Sequence, residues 1–192
     1  MAKSLKRDEI IRVALELIAE HGFHGTSMAM VAEEAKVGAG TIYRYFESKD
    51  ALIMALFKEA EIKMQEALTV KPYEHFSIRE RFFYLHTSLL RYMINNPIHF
   101  KYLEQFFNSP YGIKFRRDQF LKDKKGESHT FLKLFSEGLS QGIMKNLPLV
   151  VLFALALGPI MDMARDHILG FFKLNDDLIT QSVEACWDAV KK

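Results

Sequence analysis

The chain has little cysteine and little tryptophan: one of each, Cys186 and Trp187, in 192 residues. A single thiol excludes an internal disulfide framework and a clustered thiolate metal site, and it fits a reducing cytoplasm. Long hydrophobic runs are also missing. The most apolar stretch, Leu147 to Met161, is about 15 residues long and holds Pro148, Gly158 and Pro159, whereas a bilayer crossing takes about 20 apolar residues. No membrane partner is therefore expected. Met1 to Arg7 is basic with no apolar core behind it, which argues against a secretion signal. Charge of one sign is not in excess either, at +2 overall. Through Leu52 there are seven Lys/Arg against eight Asp/Glu, so bulk charge gives that segment no general attraction for polyanions, and any such contact needs its basic groups gathered on one face.

What is present is helical periodicity, with no run that alternates apolar and polar residues as a strand would. From Lys6 to His21, Ile10, Ile11, Ala14, Leu15, Leu17 and Ile18 form one stripe, with Arg7, Asp8, Glu9, Arg12, Glu16 and Glu20 opposite. Gly22 supplies a stop. Ser27 is placed to cap a short helix whose inner face is Met28, Val31, Ala32 and Ala35. A third short helix fits Ala39 to Tyr45, and Ser48 caps a long one carrying Ala51, Leu52, Leu56, Ala60, Met64, Ala67 and Leu68. Lys71-Pro72 ends it. Later starts are expected at Ser77, at Asn96-Pro97, near Ser128, near Pro148 and at Asn175 to Asp177. Breaks are expected at Asn108 to Gly112, Lys124 to Gly126 and Gly142. The fold class is all-α, with nine or so helices.

Three segments carry the sequence's most specific pattern: Gly22-Phe23-His24-Gly25-Thr26-Ser27, then Val31 to Val37, then Gly40-Thr41-Ile42-Tyr43-Arg44-Tyr45-Phe46-Glu47-Ser48-Lys49-Asp50-Ala51-Leu52. Together they closely resemble the TetR family of bacterial transcription regulators, over roughly residues 6 to 53. The residues make physical sense by themselves. Val31, Ala32 and Ala35 are small enough for a close helix crossing, and Val37, Ile42, Phe46, Phe23 and Leu17 can fill a three-helix head. The Ala39 to Tyr45 helix is then available to a DNA major groove. The resemblance implies an N-terminal helix-turn-helix domain at 1–47 and a C-terminal ligand-sensing and dimerisation bundle at 48–192. It makes Gly40, Thr41, Tyr43, Tyr45 and Lys49 candidates for the DNA backbone. It also implies that Ser27 is a cap whose hydroxyl or amide can reach a phosphate, and it leaves Arg44 as the base-reading candidate.

Three positions depart from the family pattern. Lys36 stands where glycine is usual, so a left-handed lysine costing on the order of 1 kcal/mol is predicted. Gly38 replaces the usual Ser or Thr cap. Ala39 replaces a residue that is commonly polar or basic.

Residues 54 to 192 hold 14 of the 16 phenylalanines, which in a bundle either fill a core or line a cavity. The resemblance implies an effector pocket, for which Phe83, Phe106, Phe107, Phe131 and Met161 are candidates. Tyr84, His86, His99, Tyr102, Glu104 and His129 are polar candidates nearby. It also implies a dimer interface from the last two long helices, Leu147 to Gly158 and Asn175 to Val190, with Val151, Ala154 and Leu157 in it. The expected partners are a palindromic DNA operator, a second copy of the chain and a hydrophobic small molecule whose binding relieves repression. A ligand-blind DNA-binding dimer and a helical-bundle enzyme are the alternatives. No nucleophile elbow, phosphate loop or Glu-x-x-His pair supports the enzyme. The seven histidines are scattered, so neither a metal nor another cofactor is expected.

Overall fold

A computed structural model describes residues 2–70, 73, 75–122 and 130–192. Ten helices occupy them: α1 (Ala2–Gly25), α2 (Met28–Glu34), α3 (Ala39–Tyr45), α4 (Lys49–Leu68), α5 (Ile78–Asn95), α6 (Pro97–Phe107), α7 (Pro110–Lys122), α8 (Thr130–Ser140), α9 (Leu149–Leu169) and α10 (Asp176–Val190). Among the described residues the sole β pairing is an isolated bridge between Met144 and Lys191. No described helix is long and apolar enough to cross a membrane. The expected break at Lys124 to Gly126, the start near Ser128, the Lys71-Pro72 stop and His129 all lie outside the described residues.

Local chemistry sets most helix starts. Ser27 Oγ accepts from the Met30 amide at 3.1 Å, Ser48 Oγ from the Ala51 amide at 3.1 Å and Asn175 Oδ1 from the Leu178 amide at 2.9 Å. At α5, Ser77 and Glu80 cap each other, with the Ser77 amide 2.8 Å from the Glu80 carboxylate and the Glu80 amide 3.3 Å from Ser77 Oγ. One expected break and one expected helix end are helical instead. Pro110, Tyr111 and Gly112 form the first turn of α7, where a proline loses no helical hydrogen bond. Gly112 seats that turn, because a Cβ there would meet the Phe106 carbonyl oxygen at 2.3 Å. α9 likewise continues through Gly158-Pro159 to Leu169 and ends in a left-handed turn at Gly170.

The chain forms two compact units. The first comprises residues 1–63 and 96–112, more than the 1–47 head read from the sequence. The reason is non-local packing: α6 lies against α1. Tyr102 of α6 donates its hydroxyl to the Ile53 carbonyl of α4 at 2.7 Å, and Gln105 Nε2 donates to the Ile18 carbonyl at 2.9 Å. Ile10, Val13, Ala14, Ile18, Ile42 and Phe46 are buried at its centre, while Leu17, Phe23 and Val37 are half-buried. α1 is broken at Gly22 (φ 76°, ψ 173°), which frees Phe23 to pack edge-on against Tyr102 and Tyr111.

The second unit comprises residues 64–95 and 113–192. Here α9 turns a stripe of Leu152, Ala156, Ile160 and Ala164 inward and packs on α5, α8 and α10. The small alanines let the helices approach closely. Aromatic packing fills the centre, with Phe82 5.1 Å from Trp187 and Phe135 5.1 Å from Phe153 between ring centroids. The chain end is pinned by the Lys145 amide to the Val190 carbonyl at 2.8 Å and the Lys192 amide to the Ile143 carbonyl at 2.9 Å.

Candidate nucleic-acid interface

The first unit presents a short exposed helix on a rigid mount. α2 packs on α1 and α3 packs on α2, and the turn between α2 and α3 is closed by backbone bonds. The Lys36 amide donates to the Glu33 carbonyl at 3.0 Å and the Val37 amide to the Ala32 carbonyl at 2.9 Å. That pair of bonds requires a left-handed residue at position 36, and Lys36 has φ 52°, the one positive φ among the described non-glycine residues. Elsewhere the same turn is made by Gly142 and Gly170. Gly38 then starts α3 with its backbone alone and no side-chain cap, as its lack of a hydroxyl requires.

Ile42 faces the core, fully buried, and locks the register of α3. Gly40, Tyr43 and Arg44 are consequently exposed and Thr41 and Tyr45 half-buried at the helix flanks. Nothing lies within 4 Å of where a Gly40 Cβ would stand, so a nucleic-acid backbone can come close to the peptide there. Tyr43 keeps 54% of its surface exposed, a large fraction for an aromatic ring on a seven-residue helix. Ser27 is exposed beside the buried Thr26, with its hydroxyl already committed as the α2 cap.

Lys49, in the first turn of α4, sends its ammonium back to the Phe23 carbonyl near the end of α1. It therefore splices α4 to α1 as well as carrying charge. An ammonium has three donors, so one internal bond leaves capacity for a phosphate oxygen. Next to it, Tyr111 donates to Asp50 Oδ1 at 2.5 Å, and that bond pushes the Tyr111 phenol above its ordinary pKa. Two other basic groups of the head are engaged within the chain. Arg12 is bridged by Glu9 at 2.6 Å and Glu16 at 2.8 Å, and Arg7 pairs with Glu59 at 2.6 Å while lying 5.6 Å from the Phe46 ring centre.

Sequence reasoning missed Tyr102, Gln105 and Tyr111 as fasteners of this head. The visible signal was a glutamine two places after the buried Leu103 and one before the buried Phe106. The five pocket candidates do not assemble in one place. Phe106 and Phe107 belong to the first unit, where Phe106 stacks on Phe57 at 3.9 Å and Phe107 meets both rings edge-on. Phe83, Phe131 and Met161 belong to the second. There Phe83 is half-buried under the Arg79 guanidinium at 4.4 Å, Phe131 is buried beside His86, and Met161 is half-buried on α9. Of the interface candidates, Val151 and Ala154 are exposed and Leu157 is half-buried, and Val150 and Leu155 join the exposed face. Among the described residues no group of three or more His, Cys, Asp or Glu is placed to hold a metal ion.

A capped helix, a closed turn and a second helix held by one buried side chain with its outer edge exposed define a helix-turn-helix DNA-binding protein. The comparisons with known proteins agree. Residues 10–56 match the sequence model described as bacterial regulatory proteins of the tetR family, and residues 77–191 match that of the tetracyclin repressor-like C-terminal domain. An HTH-type transcriptional regulator of Haemophilus influenzae is 26% identical over all of this chain and 98% of its own length. The fatty acid metabolism regulator protein of Bacillus subtilis is 44% identical over 57 residues, only 29% of its length, so that likeness concerns the head alone. Among solved structures, a putative TetR-family regulator from Vibrio parahaemolyticus is 31% identical with a TM-score of 0.74, covering 97% of this chain and 99% of that one. A TetR-family regulator from Marinobacter aquaeolei reaches a TM-score of 0.83 at 25% identity, covering 97% and 95%. The chain belongs to the TetR family. It is a DNA-binding transcriptional regulator and not an enzyme.

Proposed function

We propose that the chain acts in the cytoplasm as a homodimeric repressor that binds a palindromic operator through α3 and is released by an apolar small molecule. The functional division is a DNA-reading head at 1–47 and a sensing and dimerisation part at 48–192. The observation that carries the DNA half is the outer edge of α3, where Gly40, Tyr43 and Arg44 are exposed and Thr41 and Tyr45 half-buried beside them. In the proposed complex Gly40, Thr41, Tyr43 and Tyr45 meet the sugar-phosphate backbone, Arg44 meets base edges, and Lys49 and Ser27 meet flanking phosphates.

The dimer is supported by α9. Its inward stripe is satisfied within the chain, yet Val150, Val151, Ala154 and Leu155 form a second apolar face that stays exposed, with Val150 at 47%. A helix apolar on two sides needs cover on both, and a second copy of α9 and α10 supplies it. Two heads related by a two-fold axis then read two half-sites about one helical turn apart. Sensing is assigned to the aromatic interior of the second unit, around Phe83, Phe131 and Met161. α4 runs from the first unit into the second, which gives a ligand a continuous helix through which to shift the head.

The test is selection of binding sites from a pool of random duplexes. Enriched sequences should be inverted repeats with half-site centres about 10 base pairs apart or a multiple of that. Enrichment of direct repeats or single half-sites would contradict the dimer geometry.

A further inference from the structure

We infer that His86 is the polar anchor of the effector site, and that the effector is a mainly hydrophobic molecule offering one neutral hydrogen-bond donor, such as a hydroxyl. The inference rests on the ligand-sensing reading above and specifies its chemistry. His86 lies in the middle of α5 and is completely buried. Its Nδ1 is 2.7 Å from the Phe82 carbonyl oxygen, one helical turn back. A carbonyl can only accept, so Nδ1 carries the proton and Nε2 is left with a lone pair.

Burial holds the ring neutral, with its pKa pushed down to about 3. The ring stacks on Phe82 at 3.7 Å and is met edge-on by Phe131 at 5.2 Å and Phe135 at 6.2 Å. In this aromatic setting Nε2 is buried and accepts no hydrogen bond from the protein. Two other buried side-chain atoms share that property among the described residues, Thr26 Oγ1 and Arg81 Nε. Neither is comparable, since a hydroxyl rotates to suit its surroundings and the Arg81 guanidinium is already paired with Glu137. His86 has a fixed acceptor, pointing into apolar surroundings, in a unit assembled from the helices assigned to sensing.

The acceptor sets the class of ligand. A carboxylate has no proton to give and would face the lone pair of the neutral ring, so a fatty-acid anion fits Nε2 less well than a neutral donor. Phenols, alcohols and N–H heterocycles fit.

The test uses the full-length protein and paired probes, 4-alkylphenols and the alkylbenzenes of matched chain length, with fluorescence of the single tryptophan, Trp187, as the readout. Trp187 lies 5.1 Å from Phe82 and so reports on this site. Phenols should bind about tenfold more tightly than their hydrocarbon partners, roughly what one neutral hydrogen bond supplies. His86→Phe should erase that preference while keeping hydrocarbon binding. Histidine-selective ¹⁵N spectra of the wild type should show Nε2 as an acceptor that shifts on adding 4-alkylphenol, a readout that does not require the variant to fold. Equal binding of the paired probes, a phenol preference that survives His86→Phe, or an unmoved Nε2 resonance overturns the inference. If another apolar compound releases the protein from DNA while both probe series fail to bind, the assignment of His86 is wrong and the sensing reading stands. If no compound releases it, both fall.

Discussion

Lys36→Gly should make the protein more stable, which is unusual for a change to glycine. Lys36 occupies the left-handed position of the turn between α2 and α3, with φ 52° and two backbone bonds that fix it there. Holding a residue with a Cβ in that region costs roughly 1–2 kcal/mol. Glycine removes that strain but adds freedom to the unfolded chain, a loss of roughly 0.4–1 kcal/mol. The net gain is therefore about 0.5–1 kcal/mol, or roughly 1–4 °C in Tm for a chain of this size. The hydrogen bond from Arg12 chiefly holds the Glu9 carboxyl below its ordinary pKa, with a small further attraction from the Lys36 charge that glycine loses. Lys36→Ala separates the two effects, because alanine loses the charge but keeps the Cβ. Chemical denaturation followed by circular dichroism should rank Gly above Lys, with Ala equal to or slightly below Lys. If Lys36→Gly is neutral or destabilising, or if Lys36→Ala stabilises as much, backbone strain at this turn is not the cause.

Other expectations follow from the same structure. Acid should destabilise the second unit through His86: its folded pKa of about 3 lies below the ordinary 6.5, so the unfolded chain takes up a proton that the fold refuses. The stability it contributes is complete above about pH 6.5 and is lost as pH falls toward 3. Between pH 7 and pH 5 that amounts to roughly 2 kcal/mol, and His86→Phe should show the smaller drop in parallel denaturation curves. Tyr102→Phe removes the hydroxyl that ties α6 to the Ile53 carbonyl and should cost about 1 kcal/mol; an unchanged denaturation midpoint would show that this bond does not hold the head together. Ala154→Arg or Leu155→Arg sets a charge in the exposed apolar face of α9 and should shift sedimentation from dimer to monomer, with several kcal/mol of interface lost. A dimer that survives both places the interface elsewhere.

How legible the structure was depended on how local its causes are. Ser27, Ser48, Ser77 and Asn175 cap helices with their own side chains within three residues, and all four starts were readable. So was the left-handed Lys36, because the resemblance placed it where glycine is usual. Pro110 to Gly112 was misread as a break because proline and glycine signal turns locally. What makes a helix of them is the backbone at the end of α6, against which only glycine fits. The helix read as ending at Gly158 instead runs on through the exposed Pro159 to Leu169, so proline and glycine again read locally as a stop. The membership of α6 in the first unit depends on bonds that join residues 49 and 87 positions apart, and no periodicity encodes such pairings. For the candidate site, the outward placement of Gly40, Tyr43 and Arg44 on α3 was legible but the bond from Lys49 to Phe23 was not.

The account's central claim is that the exposed edge of α3 grips DNA, and a salt titration of binding to a selected operator tests it most directly. Wild-type affinity should fall by about a thousandfold or more between 50 and 200 mM salt, as expected for six or more phosphate contacts. Tyr43→Ala should bind at least about tenfold more weakly at physiological salt, and Lys49→Ala should also weaken binding and flatten the salt slope by about one unit. Arg44→Ala should change which operator bases matter. Wild-type affinity in both Tyr43→Ala and Lys49→Ala, with an unaltered salt slope, would contradict the claim.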